Sequence, residues 1–269
     1  MEAKGLIPFI VLLIAGVESA VHANTQPTQK IKEENVSYTV GNTNYKGYIV
    51  YDENIKEKRP AILVVHEWWG LNEYPKMRAR QLAEMGYIAM AVDLFGQGKT
   101  ATNPKEAQAL TAPFYANPRL GKTLLDRAAA KLKEYPQADS SKIIAIGYCF
   151  GGSVVLNSAK LGSDFKAVAS FHGGLKGVPP RKDLLKAKIL VCHGAKDRFV
   201  PDKDVKEFKH QMDSIHADYK FIVYPNATHA FSNPASTENG KKFNMPIEYN
   251  KEAELKSWND FKDFLKAIK

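Results

Sequence analysis

The sequence predicts an α/β fold: a mostly parallel central sheet, opened by an N-terminal antiparallel hairpin and covered by helices on both faces. Short apolar runs alternating with longer amphipathic ones are the first reason. Strands that are apolar on both sides need cover on both faces, and helical crossovers supply it. The second reason is continuity. The alternation runs from Val36 to the C-terminus without an internal repeat or a long polar linker, so a single domain over residues 36–269 is expected. The third is composition: at 44% hydrophobic and 25% charged over 269 residues, the chain has the balance of a globular protein with a core.

Residues 1–23 are a different kind of sequence. Lys4 adds positive charge to the amino terminus, residues 6–17 are almost wholly apolar, and Val21, His22 and Ala23 end in a small residue. That is the order of a secretory signal peptide cleaved after Ala23, and it implies a periplasmic or secreted protein. Twelve residues at ~1.5 Å each fall short of a ~30 Å hydrocarbon core, so no stable membrane anchor is expected. Residues 24–35, polar with one proline, read as a flexible leader.

Within the domain, 36–40 and 45–51, separated by Gly41 and Asn42, read as the antiparallel hairpin. Further strands are expected at 61–66, 88–92, 143–147, 167–172, 189–193 and 221–224. Helices are expected at 74–85, 118–135, from Phe150 onward, 202–216 and 247–268. Residues 96–117 and 230–246, rich in Pro, Asn, Gly and Lys, read as lid or rim segments.

Ligands of a parallel sheet bind beyond the carboxyl ends of its strands. The residues expected there include His66-Glu67-Trp68-Trp69, Asp93, Gly147-Tyr148-Cys149-Phe150-Gly151, His172, His193, Asp197 and His229. The glycine spacing around Cys149 is that of a nucleophile elbow with Cys in the place of Ser. Glycines two before and two after the nucleophile allow a sharp strand-to-helix turn that pushes one side chain into the cleft. At a helix N-terminus the macrodipole favours a thiolate. The bland alternative is a small buried hydrophobe among chance glycines. On this architecture nucleophile, acid and histidine follow in chain order, and Cys149, Asp197 and His229 do so. His229 would take the thiol proton, and Asp197 would fix the imidazole tautomer; taken singly, each could be only a turn or capping residue. The N–H groups of Phe150 and Trp68 are the expected oxyanion donors. Trp69 reads as a wall of an apolar substrate pocket, to which Tyr148 and Phe231 are also assigned.

The elbow, His66-Glu67-Trp68-Trp69-Gly70-Leu71-Asn72, Asp93-Leu94-Phe95, His193-Gly194-Ala195-Lys196-Asp197 and His229-Ala230-Phe231 together resemble the dienelactone hydrolase family. The resemblance runs from about Val36 to the C-terminus and implies the α/β-hydrolase fold, carboxylic ester hydrolysis and a Cys149, Asp197, His229 triad. It adds Glu67, which in relatives contacts the resting thiol and readies it for attack; a solvent-facing loop charge is the alternative. The family's two carboxylate-binding arginines fall at Gln97 and Asn233 here, which become the corresponding substrate-binding candidates. Without guanidinium forks, a carboxylate substrate loses its main handle, so a neutral or differently charged ester or lactone is the expected small-molecule partner.

Other classes fare worse. The net charge is +9, but the lysines are scattered and no nucleic-acid motif appears, so no nucleic-acid partner is expected. Cys149 and Cys192 are expected on strands two apart, ~9.5 Å against a ~7 Å limit for a disulfide. His66, His172, His193 and His229 near one sheet edge leave open a non-catalytic, ligand- or metal-binding use of the same cleft. None of them has close metal-ligand spacing, so neither a metal nor a cofactor is expected.

Overall fold

A computed structural model describes residues 1–2 and 29–268; the expected signal peptide from residue 3 onward, and residues 24–28, lie outside the described residues. The chain opens on the hairpin. β1 (Ile31–Val40) and β2 (Thr43–Asp52) pair antiparallel over their whole length. Gly41 takes φ +58° at the first central position of the two-residue turn, where glycine relieves the strain of positive φ. β1 thus claims residues 31–35, which corrects the expectation of a flexible leader as far as residue 35. The polar side chains there are not solvated spacers: Glu33 accepts from the Tyr48 hydroxyl, and Glu34 from those of Tyr51 and Tyr135. An edge strand needs only one apolar face, so its composition hid it.

The rest of the chain runs β3 (Arg59–Val65), α1 (Glu73–Glu84), β4 (Ile88–Val92), α2 (Pro104–Ala116), α3 (Pro118–Lys133), β5 (Ala138–Tyr148), α4 (Phe150–Lys160), β6 (Ala167–Phe171), β7 (Lys188–Gly194), α5 (Asp202–Ser214), β8 (Tyr219–Tyr224), α6 (Ser236–Phe243) and α7 (Lys251–Lys266). The strands form one eight-stranded sheet in the order β1-β2-β4-β3-β5-β6-β7-β8. β2 meets β4 antiparallel, and every later pair is parallel. This is the mostly parallel α/β sheet that the alternation predicts.

Successive side chains of a strand face opposite ways, which divides the core. Leu63, Val65, Met90 and Val168 pack with Leu124, Val155 and Phe208 of α3, α4 and α5 on one face. Ile62, Val64, Ala91 and Ala169 pack with Leu82 of α1 and Phe261 of α7 on the other.

Two helices emerge from the segments read as rim loops. α2 begins because the Asn103 side chain accepts the Glu106 N–H at 3.0 Å, with Pro104 at the first helical position and the Glu106 carboxylate returning to the Thr102 N–H at 2.8 Å. Both are helix-start devices; read as loop composition they pass unnoticed. α6 occupies part of 230–246. The last helix starts later than expected, at Lys251, because Asn250 caps it through the Ala253 N–H at 3.0 Å; Ile247 instead makes a single parallel bridge with His229.

Candidate active site

β5 ends at Tyr148 and α4 starts at Phe150, so Cys149 alone makes the turn. It does so at φ +51°, ψ −116°, a region a non-glycine residue occupies only under constraint. Close packing supplies the constraint. A Cβ at Gly147 would sit 2.2 Å from the Gly151 carbonyl oxygen, and one at Gly151 would sit 2.5 Å from that of Val65. Only glycine at both places lets β5, α4 and β3 close up around the turn.

The Cys149 N–H donates to the Phe171 carbonyl at 3.0 Å and to Nδ1 of His172 at 3.1 Å. Because Nδ1 accepts, Nε2 of His172 carries the hydrogen and donates to Ser232 Oγ at 2.7 Å. Ser232 Oγ lies 2.7 Å from the Tyr74 hydroxyl, and Arg78 donates to the Ser232 carbonyl at 3.0 Å and to Glu254 at 2.8 Å. Burial, then the charges of His229 and Arg78, hold His172 well below the ordinary histidine range, so it stays neutral under the elbow. Sequence reasoning had left this buried support unnoticed, since its members are scattered along the chain.

His229 arrives on the loop after β8, and Asp197 on the turn after β7. Nε2 of His229 stands 3.0 Å from the Cys149 sulfur, and Nδ1 stands 2.8 Å from Oδ2 of Asp197. The other Asp197 oxygen accepts the Phe199 N–H at 2.9 Å, which fixes the carboxylate. With Asp197 accepting, Nδ1 carries a hydrogen and Nε2 faces sulfur. Burial opposes charge on His229, but the sulfur and Asp197 outweigh it and hold the imidazole well above its ordinary range. The arrangement can therefore keep a proton on His229 opposite sulfur.

Glu67 follows β3 and is buried, 4% exposed. Its Oε2 accepts from Asn233 Nδ2 at 2.5 Å, while Oε1 has no protein partner and the residue lines the cavity. Burial pushes the carboxyl up to about 7, against the pull of Asn233, His229 and Arg78. Neighbouring His66 accepts the Leu94 N–H at Nε2 and donates from Nδ1 to the Glu67 carbonyl; burial lowers it to about 4, so it is a neutral structural group.

These residues meet a cavity of about 670 Å³. Trp68, Trp69, Phe150, Phe199, Phe243 and Met245 make its walls largely apolar. α2 and α6, the helices not expected, flank it. Lys176 is the only Lys or Arg in the lining, and it is paired with Asp204 at 3.4 Å.

The dienelactone hydrolase family model matches residues 45–269. The chain belongs to that family, a family of hydrolases. Among its relatives, a candidate carboxymethylenebutenolidase of Methylorubrum extorquens is 30% identical over 64% of this chain and 63% of its own length; the chain thus spans a little under two thirds of that protein. The protein usf of Aquifex pyrophilus is 29% identical over 74% of this chain and 86% of its own. Among solved structures, a dienelactone hydrolase-like promiscuous phosphotriesterase from metagenomic libraries is 30% identical, with a TM-score of 0.82, covering 88% of this chain and 98% of that one.

Within this family member, the structure brings Cys149, His229 and Asp197 together and places Glu67, Trp68, Trp69 and Phe150 in the cavity lining. It separates four residues assigned to substrate from that lining. Tyr148 precedes Cys149 on the strand, so it points to the opposite face, stacked on Phe171 at 4.8 Å. Phe231 is fully buried between His172 and Tyr224. Gln97 is exposed: the Asp93 carboxylate accepts the N–H groups of Lys46, Phe95, Gly96 and Gly98, pulling the loop onto the hairpin, where the Gln97 N–H reaches Asn44. Asn233 is buried against Glu67 and holds that carboxylate instead of forming a wall. β6 lies between the strands that carry the two cysteines, both of which are free. Among the described residues, no group of three or more His, Cys, Asp or Glu is placed to hold a metal ion.

Proposed function

We propose that the chain is an exported thiol hydrolase that cleaves an uncharged carboxylic ester or lactone through an acyl-enzyme. The observation that carries this reading is the pair of contacts at the cavity floor, sulfur to imidazole at 3.0 Å and imidazole to buried carboxylate at 2.8 Å. In the first step Cys149 sulfur attacks the carbonyl carbon, and the displaced electron pair forms an oxyanion facing the N–H groups of Phe150 and Trp68. Phe150 opens α4, where main-chain N–H groups lack helical partners. Collapse breaks the C–O bond, and the proton on His229 passes to the departing alkoxide. In the second step His229 takes a proton from water, the hydroxide attacks the thioester, and the acid leaves as the thiolate re-forms. Asp197 holds the imidazole orientation throughout.

The uncharged substrate is supported by the apolar walls, by the pairing of Lys176 with Asp204, and by the proton on His229 being turned to the Cys149 sulfur. Glu67, buried with one free oxygen, is a gatekeeper of the resting thiol in this reading. Export rests on residues 1–23, and the first strand begins only at Ile31, so the proposed cleavage after Ala23 spares the sheet.

The test is a panel of aryl esters and lactones, neutral and anionic, with a phosphotriester added because one relative carries that name. The mature protein should turn over the neutral esters, and Cys149→Ala and His229→Ala should lose at least about 10³-fold while melting at a similar temperature. Saturable binding without turnover would instead support the non-catalytic alternative.

A further inference from the structure

Among the described residues, ten buried side-chain nitrogen or oxygen atoms have no hydrogen-bond partner. Two of them belong to residues that line the cavity: Oε1 of Glu67, treated above, and Oγ of Ser153. Ser153 is 4% exposed and no step above uses it. It lies four residues after Cys149 along α4, about one helical turn on and on the same face. The space in front of its hydroxyl is kept open. Gly174 packs beside it: a Cβ there would come within 2.9 Å of Ser153 Oγ, and glycine leaves that room free.

A second hydroxyl converges there. Tyr115, near the end of α2, sets its ring edge against Phe150 at 5.9 Å between centroids. The residue is 61% exposed at the rim and lines the cavity together with Ser153. Burial and the Cys149 sulfur raise the phenol above its ordinary range, while a hydrogen-bonding interaction with Ser153 opposes the rise, so the two hydroxyls are neighbours. Trp68, Phe150 and Leu175 are among the apolar residues of the same lining, which also holds Gln108 and Thr111 of α2. The Ser153 hydroxyl approaches Tyr115 without a partner inside hydrogen-bond distance, and a buried hydroxyl left so is unfavourable unless something in the cavity completes it.

We propose that Ser153 and Tyr115 form a polar subsite for a hydroxyl, ether or ketone oxygen on the acyl part of the substrate, about two to four bonds from the scissile carbonyl. The acyl side is chosen because that part stays bonded to Cys149 through both steps, and the same helix carries Ser153. The subsite rests on the hydrolytic reading. The preferred substrate class becomes an oxygen-substituted ester, such as a 3-hydroxyalkanoate, over the plain alkanoate.

Matched aryl esters of 3-hydroxybutyrate and butyrate test it. The wild-type ratio of kcat/KM should favour the hydroxylated ester by about tenfold, the worth of one buried hydrogen bond. Ser153→Ala should bring the ratio to about one, and Tyr115→Phe should lower it part of the way. A wild-type ratio near one, a ratio that survives both substitutions, or equal losses on the two esters overturns the subsite. Equal losses are what a hydroxyl completed by water in the crevice of about 10 Å³ behind it would give. Calorimetric binding of the two intact esters to Cys149→Ala separates this from the reaction itself. If the wild type cleaves neither ester, hydrolysis fails, and a binding preference that Ser153→Ala abolishes still supports the subsite. Hydrolysis with no preference in either assay removes the subsite alone.

Discussion

Single residues here work against their own local preferences. Cys149 sits at a φ that costs a side chain energy, and the neighbouring glycines make that cost unavoidable by letting three backbones touch. Gly151→Ala would force its methyl into the Val65 carbonyl; we expect loss of the folded protein in expression and melting assays, whereas Ser153→Ala should melt near wild type. Asp197→Asn should lower kcat on an aryl ester by about 10³-fold or more with little change in KM, since it disturbs the tautomer and not the pocket. Glu67 gives a pH signature. The native acid keeps its proton up to about pH 7, while an unfolded glutamate releases it near 4.5. The native state therefore binds more protons between those values, and its stability falls as pH rises through that window. Glu67→Gln should remove the decline, so the variant gains on wild type between pH 4.5 and 8, by up to about 3 kcal/mol. Melting curves across that range measure it; a constant difference would mean that Glu67 ionises as it does in the unfolded chain.

At the scale of elements, caps decide where the site's walls begin. Asn250 ends the loop that bridges to His229, and the Glu248 N–H donates to Thr228 Oγ1 at 2.8 Å, so the start of α7 and the histidine loop are tied together. Asn250→Ala should cost about 1 kcal/mol in urea unfolding and also lower kcat, because the freed segment carries the His229 bridge. Asn103→Ala should cost a similar amount but act mainly on KM, since α2 supplies cavity wall and no triad member. The parallel strands were legible in sequence because each carries an apolar run of about four or more residues. The first half of β1, residues 31–35, and α2 and α6 were not. The start of β1 is an edge segment whose glutamates are satisfied by tyrosines of β2 and by Tyr135 just after α3; α2 mixes polar and apolar residues with weak periodicity, and α6 is only eight residues long.

For the whole molecule, the cavity decides what reaches the sulfur. Its lysine lies at the exposed mouth, paired with Asp204, and its walls are largely aromatic, so neutral aryl esters should exceed carboxylate-bearing analogues by tenfold or more in kcat/KM. An Asp204→Asn variant, which frees Lys176, should narrow that gap. Export makes a separate prediction: mature protein from a secreting host should begin at Asn24 and keep the melting temperature of a chain produced without residues 1–23. An N-terminus at Met1 in the mature fraction would dismiss it.

The linear chain by itself determined the layered architecture and singled out the groups that the structure brings together at the cavity floor. An apolar run must be buried, and a cysteine between spaced glycines can make only a few kinds of turn. Tertiary structure alone decided which neighbours of those groups face the cleft. Tyr148 and Cys149 are adjacent in sequence yet point to opposite sides of the sheet, and Ser153 returns to the nucleophile's side one helical turn later. The side on which a side chain emerges depends on where strand gives way to helix. Whether a polar atom finds a partner depends on what distant segments bring to meet it.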